Sequence, residues 1–350
     1  MSRKHIKRSS TFSDLSKECS GDTNLDAVLN RWTLVDECED LNRHEEFWFQ
    51  DGNIVLVATN TAFRVHAGLL SRASPVFREL FVDFEDVVSE QMDDCPLVRL
   101  DDFAEDLAAL LSVIYGGNGS FGPNVSRVQF SFVASLIRLG HKYQIIGLRD
   151  DAVARLKTCF PSKFEEWDNF EKLRSSSMTM EKTDAITAVN LARLTENHSI
   201  LPVALYGCCL LDTDTILFGT CRKDGSVERL SPEDTRNCIE GQRRLLRANR
   251  NALTWVFDAK KGSMDCELRE SCSKILRTLP KTAHIEGILA DWQALHPWTV
   301  HLDMNLCGSC IKMLETKDLE ARRELWVQLP SYMGVSVEDW ATEYVDEVFL

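Results

Sequence analysis

"FRVHAGLLSRASPVFRELF", residues 63–81, begins as an alternating strand, with Phe63 and Val65 apolar and Arg64 between them. Alternation of this kind places successive side chains on opposite faces of a sheet. After His66 the spacing changes, and Leu69, Leu70, Phe77 and Leu80 fall as on two short helices. Ser74 followed by Pro75 marks the start of the second helix. A serine hydroxyl can accept a free N–H of a first helical turn, and proline suits the first helical position because its missing N–H would be unpaired there anyway. The stretch therefore predicts a strand followed by two short, tightly packed helices.

Working outward, "FWFQDGNIVLVATNTAFRVH" reads as a hairpin with strands at 54–58 and 63–65 and a turn at Thr59, Asn60 and Thr61. Downstream, 83–94 reads as an acidic loop and "LVRL", 97–100, as a third strand. "DDFAEDLAALLSVIYGG" is a helix with Phe103, Leu107, Leu110, Leu111 and Ile114 on its buried face. Two further helices follow in "VSRVQFSFVASLIRLGHKYQ" and "IGLRDDAVARLKTCF". Three short strands layered with helices predict an α+β domain.

This order of elements resembles the BTB/POZ domain over residues 46–160, with His66, Leu69, Leu70, Ser71, Ser74, Phe77 and Leu80 standing where that family has them. Together with "CIEGQRRLLRANRNALTWVF" and "CIKMLETKDLEARRELWVQLPSYMGV", the chain is similar to fungal BTB proteins with a long helical C-terminal region. The resemblance implies protein–protein interaction, often as a homodimer, without catalysis: an adaptor or scaffold. Two more specific roles within the family are a substrate adaptor of a cullin-type ubiquitin ligase and a transcriptional regulator acting through partners. For the first, an apolar anchor followed by an acid is needed after the third domain helix. "NGSFGPNV" supplies Phe121 but has Pro123 where a glutamate would help. For the second, no array of zinc fingers is present, and Ala67 stands where those proteins commonly carry lysine.

The 350 residues, 44% hydrophobic and 27% charged, suffice for two domains. Five spans are expected. Residues 1–23 form a disordered basic tail carrying Arg3, Lys4, Lys7 and Arg8, either a solvated leader or a nuclear-import signal. An amphipathic helix with Leu25, Val28, Leu29, Trp32 and Val35 fills 24–45, and the BTB/POZ-like domain follows over 46–160. A linker at 161–182 leads to a mainly α-helical domain over 183–350. Within that domain Ser231 should cap a long helix whose Ile239, Leu246 and Leu253 recur seven apart, and Pro330 should stop another. No apolar run approaches the roughly 20 residues of a membrane span, and the N-terminus has no hydrophobic segment, so an intracellular protein of cytoplasm or nucleus is expected, with no membrane partner. A net charge of −14 disfavours direct nucleic-acid binding.

Several motifs reduce to ordinary structure. "GNGSFG", 117–122, has dinucleotide-loop spacing but follows a helix rather than a strand. His66 has no nucleophile placed beside it by the sequence and is expected to hydrogen-bond the strand-to-helix turn. Arg243, Arg247 and Arg250 make a basic helical face of the kind solvent usually covers, and the carboxylates of 83–106 lack the order of a calcium loop. No G-x-S-x-G, H-E-x-x-H or P-loop sequence occurs, which leaves an enzyme without a chemical starting point.

The cysteines carry more. Twelve of them in an intracellular chain are expected to be reduced thiols, metal ligands or redox groups rather than disulfides. Cys307 and Cys310 in "LCGSC" have the two-residue separation of paired metal ligands, and Cys266 with Cys272 forms a looser pair upstream. These four residues are a candidate structural zinc site, with His296 and His301 as substitute ligands. Reduced core thiols and a redox pair are the competing assignments, and the vicinal Cys208 and Cys209 suit simple burial.

Overall fold

A computed structural model describes residues 41–85, 90–116, 121, 127–173, 178–222, 225–259, 262–281, 291–298, 304–338 and 340. The expected basic tail and most of the N-terminal amphipathic helix lie outside them. By contacts the chain divides into one unit of residues up to 66, 88–104 and 221–227, and a second comprising the remainder.

The first unit holds a five-stranded sheet: β1 (Asn42–Trp48), β2 (Ile54–Ala58), β3 (Thr61–Val65), β4 (Gln91–Met92) and β5 (Cys95–Leu100), in the order β1-β3-β2-β5-β4. The strands expected at 54–58, 63–65 and 97–100 are present. β2 and β3 form the predicted hairpin, with Ala58 opposite Thr61 and a turn in which Thr59 takes φ 53°. β5 runs parallel to β2, with Val55 opposite Leu97 and Leu56 opposite Val98. Every residue of β2 is buried, because it lies inside the sheet rather than at an edge. Val55, Val57, Ala62, Cys95 and Leu97 form one cluster, packed with Trp48 and Met92. Gly52 is forced by close approach, since a Cβ there would lie 2.8 Å from Cγ of Arg64, whose Nε donates to the Gly52 carbonyl at 3.0 Å.

Two strands are additions to the sequence-based expectation. β1 occupies residues 42–48, so positions 42–45, assigned above to the end of a helix, are extended and pair with β3. β4 lies in the acidic stretch. It pairs with β5 across a turn of Asp93 and Asp94, both at positive φ, and Arg43 meets Asp93 at 3.1 Å while Arg99 meets Glu90 at 3.1 Å.

The second unit is helical. α1 (Ala67–Ala73) and α2 (Pro75–Glu85) are the two short helices of the opening stretch. Ser74 is fully buried, and its Oγ accepts the Phe77 N–H at 3.0 Å and donates to the Tyr143 carbonyl at 2.6 Å. The cap therefore also ties α2 to a distant chain segment, and the Phe77 and Tyr143 rings stack at 4.1 Å beside it. α3 (Ala104–Gly116) buries Leu107, Leu110 and Leu111, and α4 (Phe130–Lys142) and α5 (Ile146–Lys157) are the two further helices.

The expected linker holds a helix instead, α6 (Phe164–Leu173), followed by β7 (Met178–Thr179), which pairs in parallel with β6 (Val128–Gln129). Phe164, Trp167 and Met178 are buried in a hydrophobic core that takes in Val133, Leu136 and Ile137 of α4 and continues to Trp326 and Met333. Packing of these large side chains overrides the polar composition that suggests a linker. α7 (Asp184–Leu194) and α8 (Leu201–Cys209) are buried on most sides, as their composition predicts, and α9 (Thr213–Phe218) follows.

α10 (Pro232–Ala252) begins as expected, with Ser231 Oγ accepting the Asp234 N–H at 3.0 Å. Its buried face is shifted from the seven-residue pattern: Asp234, Cys238, Gly241, Leu245 and Asn249 are inside, while Ile239 is exposed. The inward row follows turns of 3.6 residues, and small residues let α10 approach its neighbours closely. α11 (Trp255–Asp258), α12 (Arg269–Leu276), α13 (Gly308–Val327) and α14 (Leu329–Met333) complete the described helices. Pro330 both follows α13 and lies in the first turn of α14. Among the described residues no helix is long and apolar enough to cross a membrane.

Candidate functional site

Cys266 lies in the turn before α12 and Cys272 within it, while Cys307 is the residue capping the start of α13 and Cys310 sits in its first turn. The four Sγ atoms all lie within 4.8 Å of one another, and those of Cys307 and Cys266 are 3.7 Å apart. Two of the sulfurs accept backbone hydrogen bonds: the Cys307 N–H donates to Cys272 Sγ at 3.4 Å, and the Ser263 N–H to Cys310 Sγ at 3.4 Å. Gly262 makes the second approach feasible. It has φ 70°, and a Cβ there would meet Cys310 Sγ at 3.2 Å.

Leu253, Val256, Leu276, Leu279, Trp298 and Leu314 enclose the sulfurs, with Trp255 packed edge-on against Trp298 at 5.4 Å. Cys266, Cys272 and Cys310 are buried, and Cys307 is half-buried. Burial pushes the Cys310 thiol up to about 12 and raises Cys272, because an apolar shell disfavours thiolate. Cys307 is lowered to about 6, chiefly by the backbone N–H of Cys310 at the start of α13. Four sulfur donors at this spacing are compatible with zinc. Of the substitute ligands, His296 is paired with the Tyr206 hydroxyl at 3.3 Å, and His301 lies outside the described residues.

A second thiol cluster escapes sequence reasoning. Cys208 and Cys209 are buried, as expected, but α10 brings Cys238 against them, and Cys209 Sγ donates to the Cys238 carbonyl at 3.4 Å and to Met333 Sδ at 3.9 Å. Burial raises the Cys208 thiol, and hydrogen bonding with Cys238 raises Cys209. The sequence separation of 29 between Cys209 and Cys238 carries no spacing signal, so the gathering depends on helix packing. Cys221 is disulfide-bonded, which departs from the expectation that the cysteines are reduced thiols, metal ligands or redox groups.

His66 Nε2 lies 3.3 Å from Asp51, with its ring against Phe49. Arg243, Arg247 and Arg250 are exposed along α10. Within "GNGSFG" only Phe121 is described, and the segment before it is α3, a helix as expected. Phe121 is buried, with the Arg155 guanidinium 5.0 Å from its ring centre. A cavity of about 260 Å³ lined by Asn249, Asp291, His296, Asp318 and Arg322 has its polar groups engaged internally: Arg322 bonds Asp168 at 2.7 Å and Asp318 at 2.9 Å, and Asn249 donates to the Asp291 carbonyl at 2.9 Å.

The family model of the BTB/POZ domain matches residues 40–159, the span of β1–β5 and α1–α5. No curated protein matches the chain. The order of a five-stranded sheet and five helices, the buried Ser74 cap and the family match agree: residues 40–159 are a BTB/POZ domain, a protein–protein interaction module.

Proposed function

We propose that the protein is a non-enzymatic adaptor or scaffold that self-associates through its BTB/POZ domain and presents the C-terminal helices to protein partners. The observation that carries this reading is the BTB/POZ match together with the core shared by α4, α5 and the helices beyond residue 160, which gives the domain a built-in helical extension rather than a loosely tethered one. The interaction domain is assigned to 46–160 and the helical partner surface to 183–350, in the cytoplasm or nucleus. A structural zinc ion at Cys266, Cys272, Cys307 and Cys310 is the one cofactor in this reading, serving the fold and no reaction.

Phe121 favours a scaffold over a cullin adaptor. An anchor for another protein must be exposed, and this ring is buried beneath Arg155. Multi-angle light scattering of the purified chain tests the proposal: the expected result is a dimer mass that persists on dilution through the micromolar range. A concentration-independent monomer would remove self-association, and stoichiometric binding to a purified cullin N-terminal domain would replace the scaffold role with that of a ligase adaptor.

A further inference from the structure

We infer that Cys266, Cys272, Cys307 and Cys310 together hold one Zn²⁺ ion in a closed tetrahedral site that clasps the α12 region to the start of α13. The inference deepens the non-catalytic reading of this region, but rests on the cysteine geometry and not on self-association. Tetrahedral zinc with Zn–S distances of about 2.3 Å places its sulfurs about 3.8 Å apart. The Cys307–Cys266 separation is already 3.7 Å, and no pair of the four exceeds 4.8 Å.

The wide spacing of the first pair has a structural cause. Cys266 belongs to the turn and Cys272 to α12, and the turn from Ser263 folds back so that its N–H reaches Cys310 Sγ. The backbone donors to Cys272 and Cys310 are the kind of outer support that orients thiolate ligands and offsets their charge. An all-sulfur tetrahedral set selects zinc or iron over harder cations, and four protein ligands leave no open position for water.

A dithiol exchange centre is the alternative, because Cys307 and Cys310 occupy a helix start with one sulfur half-exposed. Such a centre needs two sulfurs and an approach for its substrate. Here two further cysteines converge on the same point, and three of the four are buried.

The test is elemental analysis of the full chain, purified without chelator from zinc-replete cells. The expected content is about one zinc per chain, falling at least about tenfold in Cys307→Ser/Cys310→Ser. Should that variant fail to fold, wild-type protein titrated with an organomercurial in the presence of a zinc-sensitive dye gives the same answer: zinc release must track thiol modification. Wild-type chain without zinc, stoichiometric iron in its place, or thiol modification without zinc release would each overturn the inference. Light scattering on the same samples separates the two claims, since zinc-free protein that still dimerises defeats the metal site and leaves the scaffold reading intact.

Discussion

The sheet and the cysteine-bearing helices close their interiors by different means. In the sheet, Val55, Leu56, Val57, Phe63 and Val98 are almost fully buried, and strand pairing satisfies the backbone between them. Around Cys310 the interior is a handful of aliphatic and tryptophan side chains arranged about four sulfurs. Apolar area removed from water contributes roughly 25 cal/mol per Å² wherever it is buried, so the first region needs no ligand. The second brings four sulfurs together, and an ion bound there would convert its binding into folding free energy. One region is thus specified by pattern and the other by chemistry.

Three experiments break or sharpen this contrast. The largest effect is expected from metal removal. Chelation should abolish hydrogen-exchange protection across 262–276 and 307–314 while leaving 54–58 and 95–100 protected, by a margin of several kcal/mol in local opening. Uniform loss in both regions would mean that the two stabilities are not separable. Next comes Leu56→Ala, which empties a fully buried site in β2 and should destabilise by about 2–5 kcal/mol in urea denaturation. Its cost should be the same with and without chelator. A smaller effect is expected for Ser74→Ala, which removes both the Phe77 N–H acceptor and the donor to the Tyr143 carbonyl, at about 1–2 kcal/mol. Thermal melting would show it, and an unchanged midpoint would mean that the cap is redundant.

What could be read from the chain follows the same contrast. β2, β3 and β5 announce themselves by alternation or by continuous apolar residues. β1, "NRHEEFW", buries only Phe47 and is mostly exposed, so nothing in its composition marks it as a strand until β3 is there to pair with it. β4 is two residues long and owes its existence to β5. α6 is hidden by the serine run after it, although Phe164 and Trp167 prove to be core residues. The gathering of Cys266, Cys272, Cys307 and Cys310 was legible because the members of each pair lie close together in the sequence. The Cys208–Cys209–Cys238 group was not, because helices brought together by packing leave no fixed interval in the sequence.

The short ladder between Val128–Gln129 and Met178–Thr179 has an evolutionary consequence. Its first strand falls inside the matched span 40–159 and its second outside, and the same core crosses that border through Trp167 and Trp326. A recombination event that carried away residues 40–159 alone would leave Val128 without its partner and open an apolar face on α4 and α5. The packed unit is therefore longer than the recognisable one. Gene fusions that transplant this module intact would need to bring the downstream helices with it.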